Sequence, residues 1–165
     1  MHCSVLLRQT LDPLYWTVYW SVIRPIITCA CETWVWNGTV KYKLMVFERK
    51  VLREIFGPTK ERDGTWRIKT NDELDELIRH KNTINHIKSQ RLSWFGHLQR
   101  MPEDRMVKKV HNWKAMLTRP LGRPKNRWED DIRNDMKKLK VKWTSRIQDH
   151  NKWKLYVERG KTFRD

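Results

Sequence analysis

Trp128-Glu129-Asp130-Asp131 sets two adjacent carboxylates behind an aromatic residue. Polymerases use such a pair, in a tight turn between apolar strands, to hold two divalent cations at a phosphoryl-transfer centre. The flanks here are of another kind. Trp128, Ile132, Met136 and Leu139 recur at helical spacing, and neighbouring carboxylates on a helix diverge by about 100°. The expected role of Asp130 and Asp131 is an exposed acidic first turn, favourable to the helix dipole. Cys29-x-Cys31 has half the donors of a thiolate metal site, but no second Cys or His pair follows at finger spacing. Buried structural thiols are the better reading. His80, His86, His97, His111 and His150 are dispersed, with no HExxH pairing. There is no Walker loop, no GxGxxG and no nucleophile motif. No catalytic residue, metal or cofactor is expected, and the chain does not read as an enzyme.

The basic residues carry the stronger signal. Lys and Arg number 35 against 19 Asp and Glu, a net charge of +16. In residues 1–36, Arg8 and Arg24 balance Asp12 and Glu32, so the whole excess lies in residues 37–165. Lysines and arginines that meet phosphates release condensed counterions, which makes RNA or DNA the expected partner. The candidate contacts are Lys88, Arg91, Arg100, Arg105, Lys108, Lys109, Arg119, Arg123, Lys125 and Arg127. Their expected role is non-specific positioning of the backbone. Gly122-Arg123-Pro124 matches the core of an AT-hook, but Leu121 stands where that minor-groove reader needs Arg. A basic linker touching phosphates and a solvated spacer remain the alternatives. Ten tryptophans lie scattered through the chain. Each serves as a stacking surface or, more commonly, as a core anchor.

These side chains need helices to position them. Leu44, Phe47, Val51 and Ile55 predict a helix ending at Gly57-Pro58. Residues 58–69 read as a loop with a short hairpin around Asp63-Gly64. Thr70 and Glu73 form a capping box ahead of Leu74, Leu77 and Ile78. Ile84, Ile87, Arg91, Trp94, Phe95, Leu98 and Met101 keep helical spacing until Pro102, with Trp94, Phe95, Leu98 and Met101 as a core stripe. Gly96 inside it costs about 1 kcal/mol relative to Ala, which suggests close approach of another backbone. Arg91 and Arg100 lie off the stripe's centre, free to reach phosphate. Met106, Val107, Val110 and Trp113 predict a further helix, and the last one spans about 144–159. The near-repeat of Tyr15-Trp16-Thr17-Val18 and Tyr19-Trp20-Ser21-Val22 is too short to signal a repeat fold. The fold class is mainly α: a small bundle of about six to seven helices with a basic Pro/Gly linker and a hairpin near 58–69.

The longest run free of charge and proline, Leu14–Ile23, is too short for a bilayer, and no secretory signal opens the chain. Three cysteines make no disulfide framework. The expectation is an intracellular protein, nuclear or cytoplasmic, with no membrane contact.

Five stretches share a further property. YWSVIRPIITCACETWVW, KLMVFERKVLREIFGP, IKSQRLSWFGHLQRMPEDR, GRPKNRWEDDI and DHNKWK resemble, in order, the C-terminal region of LINE-type non-LTR retrotransposon proteins, the jockey-like endonuclease–reverse transcriptases. The resemblance implies a segment downstream of the polymerase palm, from the thumb into a helical tail. The endonuclease, fingers and catalytic palm have no counterpart in these residues. Four parts follow: 1–36 as an apolar aromatic remnant of the thumb, 37–117 as a helical tail domain, 118–127 as the basic linker, and 128–165 as a C-terminal helical pair. Leu14–Trp36 is then expected to expose an apolar patch where the palm once packed. Two functions stay open. One is a non-catalytic fragment of the RNA-directed DNA polymerase that grips RNA or DNA. The other is a structural module that packs on the polymerase body and binds no nucleic acid itself.

Overall fold

A computed structural model describes residues 14–79, 82–113, 127–139 and 146–161. The architecture is mainly α, as the apolar spacing predicts: seven α-helices and one small hairpin among the described residues. Residues 14–18 are helical and run through a π-helical turn, Tyr19–Ile23, into α1, Arg24–Ile27. The near-repeat puts Trp16, Tyr19 and Trp20 together: Trp16 stacks on Tyr19 at 5.6 Å and meets Trp20 edge-on. Ala30 turns the chain through a left-handed conformation (φ 53°) into a 3-10 turn, Cys31–Thr33.

Helix α2, Gly38–Phe56, is capped by Asn37 and stopped by Gly57 at φ 61°. Its buried face is Glu48, Leu52 and Ile55, while Phe47 is 44 % exposed. Of the expected stripe, Ile55 is buried and Leu44 and Val51 are half-buried, while the buried Glu48 and Leu52 stand beside Phe47 and Val51 on this face. Strands β1, Thr59–Lys60, and β2, Trp66–Arg67, pair antiparallel around Gly64. Asp63 accepts the Thr65 N–H to close that turn. Helix α3, Asn71–Leu77, starts from the predicted capping box of Thr70 and Glu73.

Helix α4, Thr83–Arg100, is the central element, with Ile87, Ser89, Arg91 and Phe95 wholly buried. Helix α5, Met106–Asn112, follows, then α6, Trp128–Lys138, and α7, His150–Gly160. The predicted α5 forms with its apolar side outward: Met106, Val107, Val110 and Trp113 are exposed and Lys108 faces in. Helix α7 starts at His150, where Asp149 caps it by accepting the N–H groups of Asn151 and Lys152; of the expected span from about 144, residues 144 and 145 lie outside the described residues and 147–149 break the helix.

Two clusters form the core. Leu92, Phe95, Ile132, Met136, Ile147, Trp153 and Tyr156 join α4, α6 and α7, with Trp128 and Leu139 at the edge. Leu52, Leu74 and Ile78 join α2 and α3 beneath Trp16 and Phe56. Gly96 serves the first cluster. A Cβ there would overlap the Trp153 indole, whose N–H donates to the Leu92 carbonyl at 3.0 Å. The close neighbour is thus a side chain, not the second backbone that the glycine suggested. Of the predicted stripe, Phe95 and Leu98 are buried, whereas Trp94 and Met101 are half-buried.

The aromatic N-terminal segment is only partly an outer surface. Tyr19 and Cys31 lie in the interior. The Trp128 indole donates to the Glu32 carbonyl at 2.7 Å, and the Trp36 N–H donates to Asp131 at 2.9 Å. Leu14, Tyr15, Val18, Val22 and Ile26 remain exposed along one helical face. Among the described residues no helix is long and apolar enough to cross a membrane.

Candidate nucleic-acid interface

The ten basic candidates separate by burial. Arg91 has no exposed surface. Its spacing from Ile87 and Phe95 puts it on the buried face of α4, where its guanidinium faces two carboxylates of α6, Asp131 at 3.5 Å and Asp135 at 3.8 Å. It also lies 5.7 Å from the centre of the Trp36 ring. Burial lowers its pKa, and Asp135 and Asp131 oppose that effect. Lys88, one turn earlier, is buried with its ammonium 4.0 Å from Asp135. The expectation that these two cations reach phosphate is corrected: both are enclosed, and α6 supplies their counter-charge. Asp131 is accordingly a structural ligand and not a freely solvated charge, while Asp130 is exposed in the same first turn.

Lys108 is corrected likewise. Its ammonium is buried and donates to the Leu98 and Gln99 carbonyls, at 3.4 and 3.1 Å. These are orphan acceptors at the end of α4, where a cation also suits the helix dipole. Arg100 is half-buried and donates through Nη1 to the Ile147 carbonyl at 2.9 Å. Arg105, Lys109 and Arg127 are exposed. Arg119, Arg123 and Lys125, with the AT-hook-like Gly122-Arg123-Pro124, lie outside the described residues.

A second feature has no basic signature in the sequence. An open groove of about 430 Å³ runs beside α4, lined by Trp94, His97, Arg100, Glu32 and His150. Gln90 and Ser93 complete its α4 wall. Trp94 and His97 stand with ring centres 5.5 Å apart. Gln90, Ser93, Trp94 and His97 fall at i, i+3, i+4 and i+7, so one rib of the helix presents them together. That spacing is legible in the sequence; the arrival of His150 and Glu32 from distant segments is not.

At the N-terminal end of α4, Glu48 anchors its first residue, Thr83. Its carboxylate accepts the Tyr19 hydroxyl at 2.8 Å, the Thr83 hydroxyl at 2.7 Å and the Thr83 N–H at 2.8 Å. Burial, with Glu48 beside it, holds the Tyr19 phenol above its ordinary range. Arg24 is buried and lies 4.0 Å above the Trp20 ring. Burial pushes the Cys31 thiol up to about 11. Cys29, by contrast, is exposed, which corrects the expectation that both thiols are buried. No group of three or more His, Cys, Asp and Glu is disposed to hold a metal ion among the described residues.

Comparison with curated proteins adds a relative. The chain is similar to a transposon-derived protein. That protein, from Caenorhabditis elegans, is described as a "putative uncharacterized transposon-derived protein"; the two are 22 % identical over 153 residues, which is 86 % of this chain and 53 % of the relative. The chain thus spans about half the length of the curated relative it matches. No family model and no solved structure matches. The likeness supports a transposon origin for this sequence.

Proposed function

We propose that this chain is the non-catalytic tail of a transposon-derived reverse transcriptase of the LINE type and contributes non-specific binding of RNA or DNA backbone. The observation that carries the reading is the set of exposed cations Arg105, Lys109 and Arg127, which have no carboxylate partner among the described residues. They belong to a chain of net charge +16. Lys88, Arg91 and Lys108, enclosed by the fold, are withdrawn from such binding, so the surface set is smaller than composition suggests. Affinity for a mixed-sequence duplex is expected at about 10⁻⁴–10⁻⁶ M at physiological salt, with log K falling linearly against log salt. Fluorescence anisotropy with labelled RNA and DNA duplexes checks this. Absence of binding even at low salt would overturn it.

The isolated chain is expected to extend no primer, since Asp130 and Asp131 diverge from one helical turn and Asp131 is engaged by Arg91 and Trp36. Template-dependent extension lost in Asp130→Ala would contradict that assignment.

One observation favours the structural reading beside it. Leu14, Tyr15, Val18, Val22 and Ile26 expose an apolar helical face, suited to packing on a polymerase body. In that reading, Val22→Asp with Ile26→Asp abolishes co-purification with the polymerase part of the parent protein, and nucleic-acid binding at physiological salt is negligible.

A further inference from the structure

The solvent-facing rib of α4 has an unusual composition. Thr83–Arg100 contains no Asp or Glu. Of its three Lys and Arg residues, Lys88 and Arg91 are enclosed against α6. The rib that faces the groove is therefore amide, hydroxyl, indole and imidazole: Gln90, Ser93, Trp94 and His97. The indole face suits stacking on a nucleobase, and the amide, hydroxyl and imidazole groups can hydrogen-bond a base edge. Among the described residues Arg100 is the one Lys or Arg lining the groove, and the Ile147 carbonyl engages one of its N–H donors. Glu32, on the groove lining, disfavours a second strand of phosphates there. The groove's volume, about 430 Å³, falls in the range of about 300–1,000 Å³ typical of small-ligand sites.

We infer that this groove takes an unpaired base of single-stranded nucleic acid, stacked on Trp94, with Arg100 on the adjoining phosphate. The inference rests on the backbone-binding reading above and assigns it a strand preference. A duplex hides the faces of its bases and cannot use the indole. A single strand offers a base face to Trp94 and hydrogen-bonding edges to Gln90, Ser93 and His97. Because every base has a π-face, stacking of this kind tolerates sequence.

The test uses the full chain and one labelled mixed-sequence oligonucleotide, as a single strand and as a blunt duplex. The wild-type chain should bind both and prefer the single strand. Trp94→Ala should weaken single-strand binding roughly 5- to 150-fold and leave duplex binding within about twofold, since phosphate contacts elsewhere persist. Trp94→Leu, which keeps apolar volume without a π-face, should do the same, with circular dichroism reporting the fold of each variant. A folded Trp94→Leu chain that holds the single strand as tightly as wild type overturns the inference, and so does an equal loss on both probes. Photocrosslinking of the wild-type chain to a strand carrying 5-iodouracil reads the same contact without a variant. The crosslink should fall on the peptide bearing Trp94, and crosslinks only elsewhere overturn the assignment. A wild-type chain that binds both probes equally leaves the backbone reading standing and removes this one. A chain that binds neither at low salt removes the backbone reading, and this one with it.

Discussion

Two polar junctions pin α4 to its neighbours, and they are built differently. At its start, Glu48 reaches from α2 and accepts hydrogen bonds from neutral donors, the Tyr19 hydroxyl and the Thr83 hydroxyl and N–H, with the buried Arg24 charge near enough to interact with it. One carboxylate thus supplements the Asn82 cap at the positive end of an 18-residue helix. At its middle, Arg91 and Lys88 face Asp131 and Asp135 of α6 at 3.5 to 4.0 Å. Buried ion pairs of this kind carry a desolvation cost that their attraction roughly offsets. What they supply is pairing between α4 and α6, since an uncompensated charge in either helix is costly. The fold of a strongly basic chain therefore engages some of its cations, and those enclosed at this junction are withdrawn from the polyanion proposed above.

The largest expected effect comes from stranding the charge at the middle junction. Asp131→Ala together with Asp135→Ala leaves the Arg91 guanidinium buried without a carboxylate, and urea unfolding should show a loss of about 3–5 kcal/mol. A change within the error of the method would mean that water already solvates Arg91.

The starting junction should respond less, and in a graded way. Glu48→Ala leaves the buried Thr83 N–H without its acceptor and the Tyr19 hydroxyl with the Thr83 hydroxyl in place of a carboxylate, at a cost of about 1–3 kcal/mol. Glu48→Gln keeps one acceptor oxygen and should recover part of that loss in the same urea experiment. Equal costs for the two variants would show that the negative charge, not acceptance, is what this junction needs.

Near the same end of α4, His86 makes stability depend on pH. Burial, with Arg24 and Lys161 adding to it, lowers its pKa from 6.5 to about 4. The folded state resists a proton that the unfolded chain accepts. The stability is therefore complete above about pH 6.5 and declines as pH falls toward 4. By pH 5 the loss should be on the order of 1–2 kcal/mol, allowing for partial exposure. Urea curves at pH 7.5 and 5 should differ by that amount in the wild-type chain and much less in His86→Gln. An equal pH response in both would assign the effect to other groups.

The sequence reveals a good deal of this fold, for local reasons. The Thr70–Glu73 capping box, the Gly57 stop, the hairpin at Asp63-Gly64 and the Trp128–Leu139 stripe depend on residues within a turn or two of each other. What stays hidden shares a cause as well. Arg91 falls at the spacing of a core residue, four from Ile87 and four from Phe95, yet its charge argues for solvent. Only the placement of Asp131 and Asp135 on α6 resolves that conflict, and no local pattern reports it. Lys108 escapes a local reading because the carbonyls it caps belong to the preceding helix. The outward apolar face of α5 escapes it because periodicity specifies a side of a helix, not which side meets the core. For the candidate site, Trp94 and Arg100 are legible, whereas His150 and Glu32 enter through tertiary packing alone.

The smallest expected effect on stability belongs to the exposed set, and it bears most directly on the division between the two kinds of cation. Changing Arg105, Lys109 and Arg127 together to Ala should leave unfolding within about 0.5 kcal/mol of wild type. The decisive measurement is the slope of log K against log salt for duplex binding by that triple variant. The slope should shrink by roughly one unit for each phosphate that the variant no longer neutralises, with affinity falling alike on all sequences. A slope identical to wild type in a folded triple variant would contradict the account, because the charge that binds would then lie elsewhere.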